Sequence, residues 1–399
     1  MNALPISNKA IRSLSRATII STCLLGLTPI LIAKGAIPQQ DPNVKPMQPQ
    51  VVDGQTKVQI AILLDTSSSM DGLIDQARSQ LWKVVNSFND AEKNGKVPFV
   101  EVALYEYGNN GLDMQGNYIR QLEPLTRDLD EVSKELFALK TNGGEEYCGA
   151  VISRAVADLK WDDNPKTYKA IFIAGNEAFT QGPINAVTSC EAAVKQNIVV
   201  NTIHCGGESA GINGGWKNGA LAAGGSFAVI NQDKVIAHIE SPQDKIILKL
   251  NLELNKTYIY YGAGGKINWG NQTKQDGNAT GGAAVERSAT KSSGNYWNAN
   301  WDLCDAAKTK GFDWGKLDKK TLPKDLQTKT TKELQAHVAE NQKKRNEIKE
   351  KMKQANKERA AYVAKVRAEK KVDDKDQTLD QAIQNAVKKQ AKERGYKFK

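Results

Sequence analysis

The chain has 399 residues, of which 40% are hydrophobic and 25% are charged, and its formal net charge is +10 at pH 7. This composition is typical of a soluble globular protein with one or two domains, and it excludes a membrane protein with many spans. The positive charge is concentrated in residues 317–399, which contain 24 Lys and Arg against 13 Asp and Glu. Because the rest of the chain has a net charge close to zero, its body does not have the basic character of a nucleic-acid-binding protein.

Residues 1–36 have the pattern of a secretory signal peptide. Basic residues precede an apolar run over residues 17–33, and the small residues Gly35 and Ala36 follow it. We expect cleavage after Gly35 or Ala36, and export to the periplasm or out of the cell. The alternative is an uncleaved inner-membrane anchor formed by residues 17–33. This run contains Pro29 and is shorter than the ~20 residues that a spanning helix needs, which favours the cleaved signal.

The body of the chain follows a linker rich in Pro, Gln and Asp (37–56) and alternates strand and helix patterns. Residues 58–64 form a short apolar run, which is typical of a strand buried on both faces of a parallel sheet. Apolar residues then recur at spacings of three and four in residues 71–90, which predicts a helix with one buried face. Further strand patterns lie at residues 97–107, 169–174, 198–204 and 226–231. This alternation predicts an α/β fold with a doubly wound, mostly parallel sheet, in which ligands bind at the carboxyl ends of the strands.

A turn of unusual composition follows the first strand directly. The sequence Asp65-Thr66-Ser67-Ser68-Ser69 places a carboxylate and two hydroxyls at alternate positions. Oxygen ligands of this type suit a hard cation such as Mg²⁺. The same groups also suit the N-cap of the next helix, so spacing alone does not distinguish a metal site from a helix cap.

The buried strand, the Asp-x-Ser-x-Ser turn and the alternation of strands and helices resemble a von Willebrand factor A-type domain with its metal-ion-dependent adhesion site, over residues 57–240. The resemblance implies a Rossmann-like fold and a divalent cation at the carboxyl edge of the sheet. It also implies a partner, a protein or another acidic ligand, that gives an acidic oxygen to the cation. The cation it implies first is Mg²⁺, with Mn²⁺ or Ca²⁺ as alternatives.

The family's motif residues can be carried over one by one. Asp65, Ser67 and Ser69 match the family's first motif without change. The Thr that the family has in its second loop aligns with Glu145 here, and Thr141 is the alternative hydroxyl. The family's last Asp is replaced by Asn176. The predicted ligands of the divalent cation are Asp65, Ser67, Ser69, Glu145 and Asn176. A carboxylate of this chain that reaches the cation, from Glu145 or Glu146, would weaken the capture of a partner's carboxylate.

Removal of the signal peptide leaves four cysteines, in an environment where disulfides persist. Cys148 and Cys205 flank loops at the predicted carboxyl edge, so they are the pair that we expect if one bridge forms. Cys190 lies on a helical apolar stripe, which predicts a buried thiol without a reactive role.

Two patterns could be connected with catalysis. Cys148 and His204 both lie near strand ends, but no third residue that would orient the His is evident. Residues 207–211 match Gly-x-Ser-x-Gly, yet a Gly-rich loop follows Ser209 where a nucleophile elbow requires a helix. We therefore expect a protein that is not an enzyme, and a Cys- or Ser-dependent enzyme is the disfavoured alternative.

The rest of the chain divides into an extension, residues 241–316, and a basic tail, residues 317–399. Residues 328–371 contain no Gly or Pro and predict one long helix, whose apolar stripe is interrupted at Asn341, Arg345 and Arg359. The pattern leaves three arrangements open: docking on the body, pairing with a second predicted helix at residues 379–394, or a solvated, coiled-coil-like helix. The basic tail suits an anionic envelope surface, whereas its lack of interleaved aromatic residues argues against nucleic acid.

From these patterns we predict an exported binding module that uses a divalent cation to engage a protein or acidic ligand. The alternative is a metal-independent envelope scaffold that acts through the basic tail.

Overall fold

The structure, a computed structural model, describes residues 56–89, 91–233, 238–370 and 378–398. The predicted signal peptide and all but the last residue of the predicted linker lie outside these ranges. Within the described residues, no helix is both long enough and apolar enough to cross a membrane.

The described residues form a six-stranded sheet and a two-stranded sheet. The strands are β1 (Lys57–Asp65), β2 (Ala91–Glu92), β3 (Phe99–Tyr107), β4 (Ile119–Thr126), β5 (Tyr168–Gly175), β6 (Ile198–Cys205), β7 (Phe227–Ile230) and β8 (Lys397–Phe398). The large sheet has the order β4-β3-β1-β5-β6-β7, with β4 antiparallel to β3 and the other neighbours parallel. The predicted doubly wound, mostly parallel sheet is confirmed.

The side chains of β1 alternate between two hydrophobic cores. Ile60, Ile62 and Leu64 enter one core, and Ala61 and Leu63 enter the other. The strand is thus covered on both faces, which explains its continuous apolar run.

Helices cover both faces of the large sheet and build the extension. They are α1 (Asp71–Asn86), α2 (Leu129–Ala138), α3 (Cys148–Asp158), α4 (Ala186–Lys195), α5 (Glu208–Asn213), α6 (Trp216–Ala222), α7 (Pro242–Asn255), α8 (Gly265–Asn278), α9 (Gly281–Ser292), α10 (Leu303–Ala306), α11 (Thr331–Lys370) and α12 (Leu379–Glu393). Three short 3₁₀ helices lie at Trp314–Lys316, Lys319–Thr321 and Lys324–Leu326. Residues of α1, α2 and α12 share the core that contains Ile62, and residues of α3, α4 and α6 share the core on the opposite face.

The last helix, α12, packs on the large sheet. We call this sheet together with the helices that cover its two faces the sheet unit. Ile383 and Val387 are buried in the same core as Ile62. The amide oxygen of Gln390 accepts a hydrogen bond of 2.8 Å from the hydroxyl of Tyr168 on β5, and β8 pairs with β2. The sequence-based division places these residues in the basic tail, whereas the structure packs them on the sheet because the apolar stripe of α12 fills the space beside α1.

The long helix α11 docks on the extension. Met352 and Leu334 are buried in two separate apolar clusters of this region. Arg345, which interrupts the apolar stripe in the sequence, is also buried, and its guanidinium donates hydrogen bonds to Asp302 at 2.6 Å and Asp305 at 3.0 Å. The interruption is therefore a buried ion-pair position, and the stretch of α11 from Leu334 to Met352 packs on the extension along one side.

Candidate metal site

Asp65 is the last residue of β1, and it lies at the carboxyl edge of the sheet beside the ends of β3 and β5. Its carboxylate is fully buried. Oδ1 accepts a hydrogen bond of 2.7 Å from the backbone N–H of Ser67, whereas Oδ2 is buried without a hydrogen-bond partner among the described residues. Because an unpaired buried carboxylate oxygen is costly, Oδ2 marks a position where a ligand is expected.

The turn after Asp65 is fixed by the two loops beside it. The N–H of Thr66 donates to the carbonyl of Tyr107 at 2.8 Å, and the N–H of Ser68 donates to the carbonyl of Gly143 at 2.9 Å. The N-cap residue of α1 is Met70, and no side chain caps this helix. The Asp-Ser turn is therefore not used as a helix cap, which removes the alternative interpretation of its sequence.

Asn176 joins this turn from the loop after β5. Its Nδ2 donates a hydrogen bond of 2.9 Å to Oγ of Ser69, which lies 3.4 Å from Oγ of Ser67. The Oδ1 atom of Asn176 is buried without a partner within the described part of the chain. The structure thus brings Asp65, Ser67, Ser69 and Asn176 together, as the sequence predicts.

Glu145 does not point into this group, and Glu146 does. Glu145 forms a β-bridge with Gly108, and its carboxylate accepts a hydrogen bond of 2.9 Å from the hydroxyl of Tyr147. Successive side chains of an extended segment point to opposite sides. The carboxylate of Glu146 is accordingly the buried one, and its Oε2 has no partner among the residues that the structure describes.

Thr141, the alternative hydroxyl, does not reach the group either. It lies on the rim, where its Oγ1 donates to the carboxylate of Asp71 in the first turn of α1. The acidic residue of this loop that faces the group is therefore Glu146, one residue away from the predicted Glu145.

Glu146 and Asp65 face each other across Gly108. A Cβ atom on Gly108 would lie 2.8 Å from Cγ of Glu146 and 2.9 Å from Oδ1 of Asp65, and the φ angle of this glycine is +83°. A side chain at this position would enter the space between the two carboxylates, so their arrangement requires glycine.

The pKa values of both carboxyl groups are raised. For Asp65 the main cause is burial, which hydrogen bonds from Ser67 offset in part. For Glu146 burial again comes first, and the negative charge of Asp65 raises the pKa further. Protein groups near these two carboxyls supply too little positive charge to stabilise both in the ionised form.

The expected disulfide between Cys148 and Cys205 is absent, and all four cysteines of the described chain are free and buried. The physical reason is that Cys148 belongs to the core on one face of the sheet and Cys205 to the core on the other face. Cys190 lies on the buried face of α4, in agreement with its helical spacing.

Among the described residues, those considered for catalysis form no side-chain hydrogen bond with one another. Sγ of Cys148 lies 3.7 Å from the hydroxyl of Tyr107, and its pKa is raised, mainly by burial. The ring of His204 is buried against Trp216, with 5.7 Å between the ring centroids. Ser209 lies in the short helix α5, so the expectation of a Gly-rich loop after this residue is wrong. Within the described residues, Cys148 forms its hydrogen bond with Tyr107 and none with His204.

The donor atoms of the site fit a hard divalent cation. Carboxylate, amide and hydroxyl oxygens are the ligands that Mg²⁺, Mn²⁺ and Ca²⁺ prefer in proteins. Here three such oxygens, on Asp65, Glu146 and Asn176, are buried without a protein partner in the described residues. A cation at this point would supply the positive charge that the two carboxylates lack.

No protein-family model matches the sequence, and no curated protein matches it. Solved structures are similar to part of the chain. Proximal thread matrix protein 1 from the mussel byssus, with a zinc-occupied MIDAS motif, is 15% identical with a TM-score of 0.35, over 46% of this chain and 44% of that chain. The SpRpn10 VWA domain is 18% identical with a TM-score of 0.33, over 46% of this chain and 100% of that chain. BatB from Bacteroides thetaiotaomicron is 14% identical with a TM-score of 0.33, over 43% of this chain and 90% of that chain.

The matched region spans less than half of the mussel protein's own length. The fold is recognised from this chain itself: the strand order, the helices on both faces, and the turn that carries Asp65, Ser67 and Ser69 at the carboxyl edge. With this sheet and this turn, the chain carries a von Willebrand factor A-type fold.

Proposed function

We propose that this protein is an exported binding module that engages a partner protein at the carboxyl edge of its sheet through a divalent cation. The observation that supports the proposal is the group of buried oxygens without partners on Asp65, Glu146 and Asn176. Oxygens of this kind favour a cation, and their position beside surface loops makes the cation accessible to a partner.

Mg²⁺ is the cation that we propose, with Mn²⁺ or Ca²⁺ as alternatives, since all three take oxygen ligands. Asp65 and Glu146 would hold it by charge, and Ser67, Ser69 and Asn176 would hold it by neutral oxygens. When bound, the cation supplies a positive centre and coordination positions at the edge of the sheet.

Binding is favoured over catalysis by the placement of the reactive groups. Within the described residues, the thiol of Cys148 is packed against Tyr107 under the sheet edge, and His204 is packed against Trp216. Neither group has the exposed nucleophile and base geometry that covalent catalysis requires.

Export is proposed from the signal pattern of residues 1–36, which favours the periplasm or secretion over an inner-membrane anchor. A metal-independent scaffold is the second candidate, because the second half of α11 is largely exposed and carries Lys357, Lys365 and Arg367. Such a helix would contact an anionic envelope surface. Acidic residues such as Glu358 and Glu369 on the same segment weaken this candidate.

A pull-down from envelope extract distinguishes the two candidates. The mature protein would be used in Mg²⁺ and in EDTA, beside the variant Asp65→Ala and the control Asp75→Ala. Asp75 is a matched control because it is an aspartate on α1 whose side chain is 73% exposed.

We expect wild type and Asp75→Ala to retain a partner in Mg²⁺. We expect EDTA or Asp65→Ala to release it. A partner retained under every condition would contradict the proposal and would assign binding to another surface, such as α11.

A further inference from the structure

The described part of the chain pairs most of its buried acids with a cationic side chain. Eight Asp and Glu residues are buried there, and six of them form an ion pair. The pairs are Glu106 with Arg120, Asp130 with Arg287, Asp244 with Arg359, Asp302 and Asp305 with Arg345, and Asp380 with Lys83. Among the residues that the structure describes, the two buried acids without an ion pair are Asp65 and Glu146, the two that face each other across Gly108.

Hydrogen bonds do not compensate for the missing charge. Asp65 is 0% exposed and Glu146 is 3% exposed, and each has one oxygen without a partner among the described residues. The nearby donors are neutral: the N–H of Ser67 bonds to Asp65, and the side chain of Ser67 lowers the pKa of Glu146. Two like charges buried together are strongly unfavourable, so the pair is stable only with a proton on one carboxyl or with a positive group from outside the chain.

We infer that Glu146 supplies the second carboxylate to the divalent cation, so that this chain balances the cation's charge and the partner gives it no carboxylate. The inference rests on the proposed function of the site. A cation held by one carboxylate and neutral oxygens keeps a net positive charge and attracts an acidic group, whereas two carboxylates neutralise it. The partner that fits this edge therefore presents a neutral oxygen, such as a carbonyl or an amide, to the cation.

A titration with Mn²⁺ tests the first half of the inference, which is that Glu146 supplies a carboxylate to the cation. The mature chain would be compared with Glu146→Gln, which keeps the side-chain volume but removes the charge, and with Glu145→Gln as a matched control. Glu145 is adjacent in sequence, but its carboxylate bonds to Tyr147. We expect Glu146→Gln to weaken Mn²⁺ binding by at least about tenfold, since ligand charge sets the affinity of such sites. Glu145→Gln should stay within about twofold of the wild type.

Sodium acetate tests the second half of the inference, which is that the bound cation accepts no carboxylate from a partner. Acetate serves as the probe for that carboxylate. Water-proton relaxation reports the water molecules on bound Mn²⁺, and acetate that binds the ion displaces them. We expect acetate to leave the relaxation of the wild-type complex unchanged and to lower that of the Glu146→Gln complex. Thermal unfolding in EDTA would establish that the variants are folded.

The outcomes separate this inference from the proposed function. Equal Mn²⁺ affinity in wild type and Glu146→Gln would overturn the inference while leaving cation binding intact. Displacement of water by acetate in the wild-type complex would also overturn it. A wild-type chain that binds no Mn²⁺, Mg²⁺ or Ca²⁺ would overturn the proposed function itself.

Discussion

Gly108 lies between the two carboxylates of the candidate metal site. A Cβ there would come within 3 Å of both acidic side chains, and its φ of +83° is strained for any other residue. We predict that Gly108→Ala lowers the free energy of unfolding by about 2 kcal/mol, and that it also weakens Mn²⁺ binding. Denaturant unfolding and a metal titration would measure the two effects.

Gly277→Ala is the matched control for this change. Gly277 lies in α8, and a Cβ there would meet nothing within 4 Å. We expect this substitution to be neutral or to stabilise the protein by up to about 1 kcal/mol. If Gly108→Ala is as stable as Gly277→Ala and binds Mn²⁺ equally well, the close approach of Asp65 and Glu146 is refuted.

A second residue-level prediction concerns pH. Asp128 is the N-cap of α2 and accepts a hydrogen bond from the N–H of Glu131. Burial, and next the charge of Asp130, raise the pKa of Asp128 from 3.8 to about 7. Because the folded-state pKa lies above the unfolded one, this group's contribution to stability is present below about pH 4 and is lost as the pH rises towards 7.

Asp128→Asn keeps a capping side chain but removes this charge. We predict that the variant is more stable than wild type at pH 8, on the order of 1 kcal/mol, and similar at pH 4. Urea unfolding at the two pH values would measure the difference. A variant less stable than wild type at pH 8 would show that the carboxylate of Asp128 is favourably solvated or paired.

The identity of the site residues could be predicted only in part from the sequence. Asp65, Ser67 and Ser69 are recognisable because they follow one another on a single turn. The choice between Glu145 and Glu146 depends on the bridge between Gly108 and Glu145, which joins residues far apart in the chain. A local pattern does not contain that pairing, although two adjacent acids in an extended loop already indicate that one faces inward.

At the scale of whole elements, α12 is the structural feature with the clearest energetic consequence. Ile383 is 1% exposed in the core beside α1. We predict that Ile383→Ala lowers the free energy of unfolding by about 2–5 kcal/mol, as for other large-to-small core substitutions. Guanidinium-induced unfolding of the sheet unit would measure this loss in the free energy of unfolding.

Lys388→Ala on the exposed side of the same helix is the control, with an expected change within about 0.5 kcal/mol. An unfolding transition of the sheet unit that Ile383→Ala leaves unchanged would contradict the packing of α12 on the sheet. It would support the separate basic tail that the charge distribution indicates.

The elements differ in how well the sequence predicts them, for physical reasons. The strands and α1 have strong periodic patterns of apolar residues, which are visible within a short stretch of sequence. The charge of residues 317–399 as a whole places α12 in a basic tail, although α12 itself has only three Lys against one Asp and one Glu. Its apolar stripe packs against residues more than 300 positions earlier in the chain, and no local pattern contains that contact. Arg345 interrupts the stripe of α11 in the sequence, and only the fold supplies its partners Asp302 and Asp305.

At the scale of the whole molecule, the sheet unit is not continuous in sequence. The helices α7 to α11 lie between β7 and α12 along the chain, so the last helix of the sheet unit follows the entire extension. The extension also contacts α1 and α2: Asn86 donates to the carbonyl of Glu286 at 2.9 Å, and Arg287 pairs with Asp130 at 2.6 Å. Experiments on the candidate metal site therefore require the mature chain with its C-terminal residues.

We propose that the carboxyl edge of this molecule holds a divalent cation through Asp65. Isothermal titration of the mature chain with Mg²⁺ and with Mn²⁺, beside Asp65→Ala, tests it most directly. We predict one saturable site per chain in the wild type and none in Asp65→Ala. A wild type without saturable binding, or an Asp65→Ala variant that binds equally well, would contradict the account.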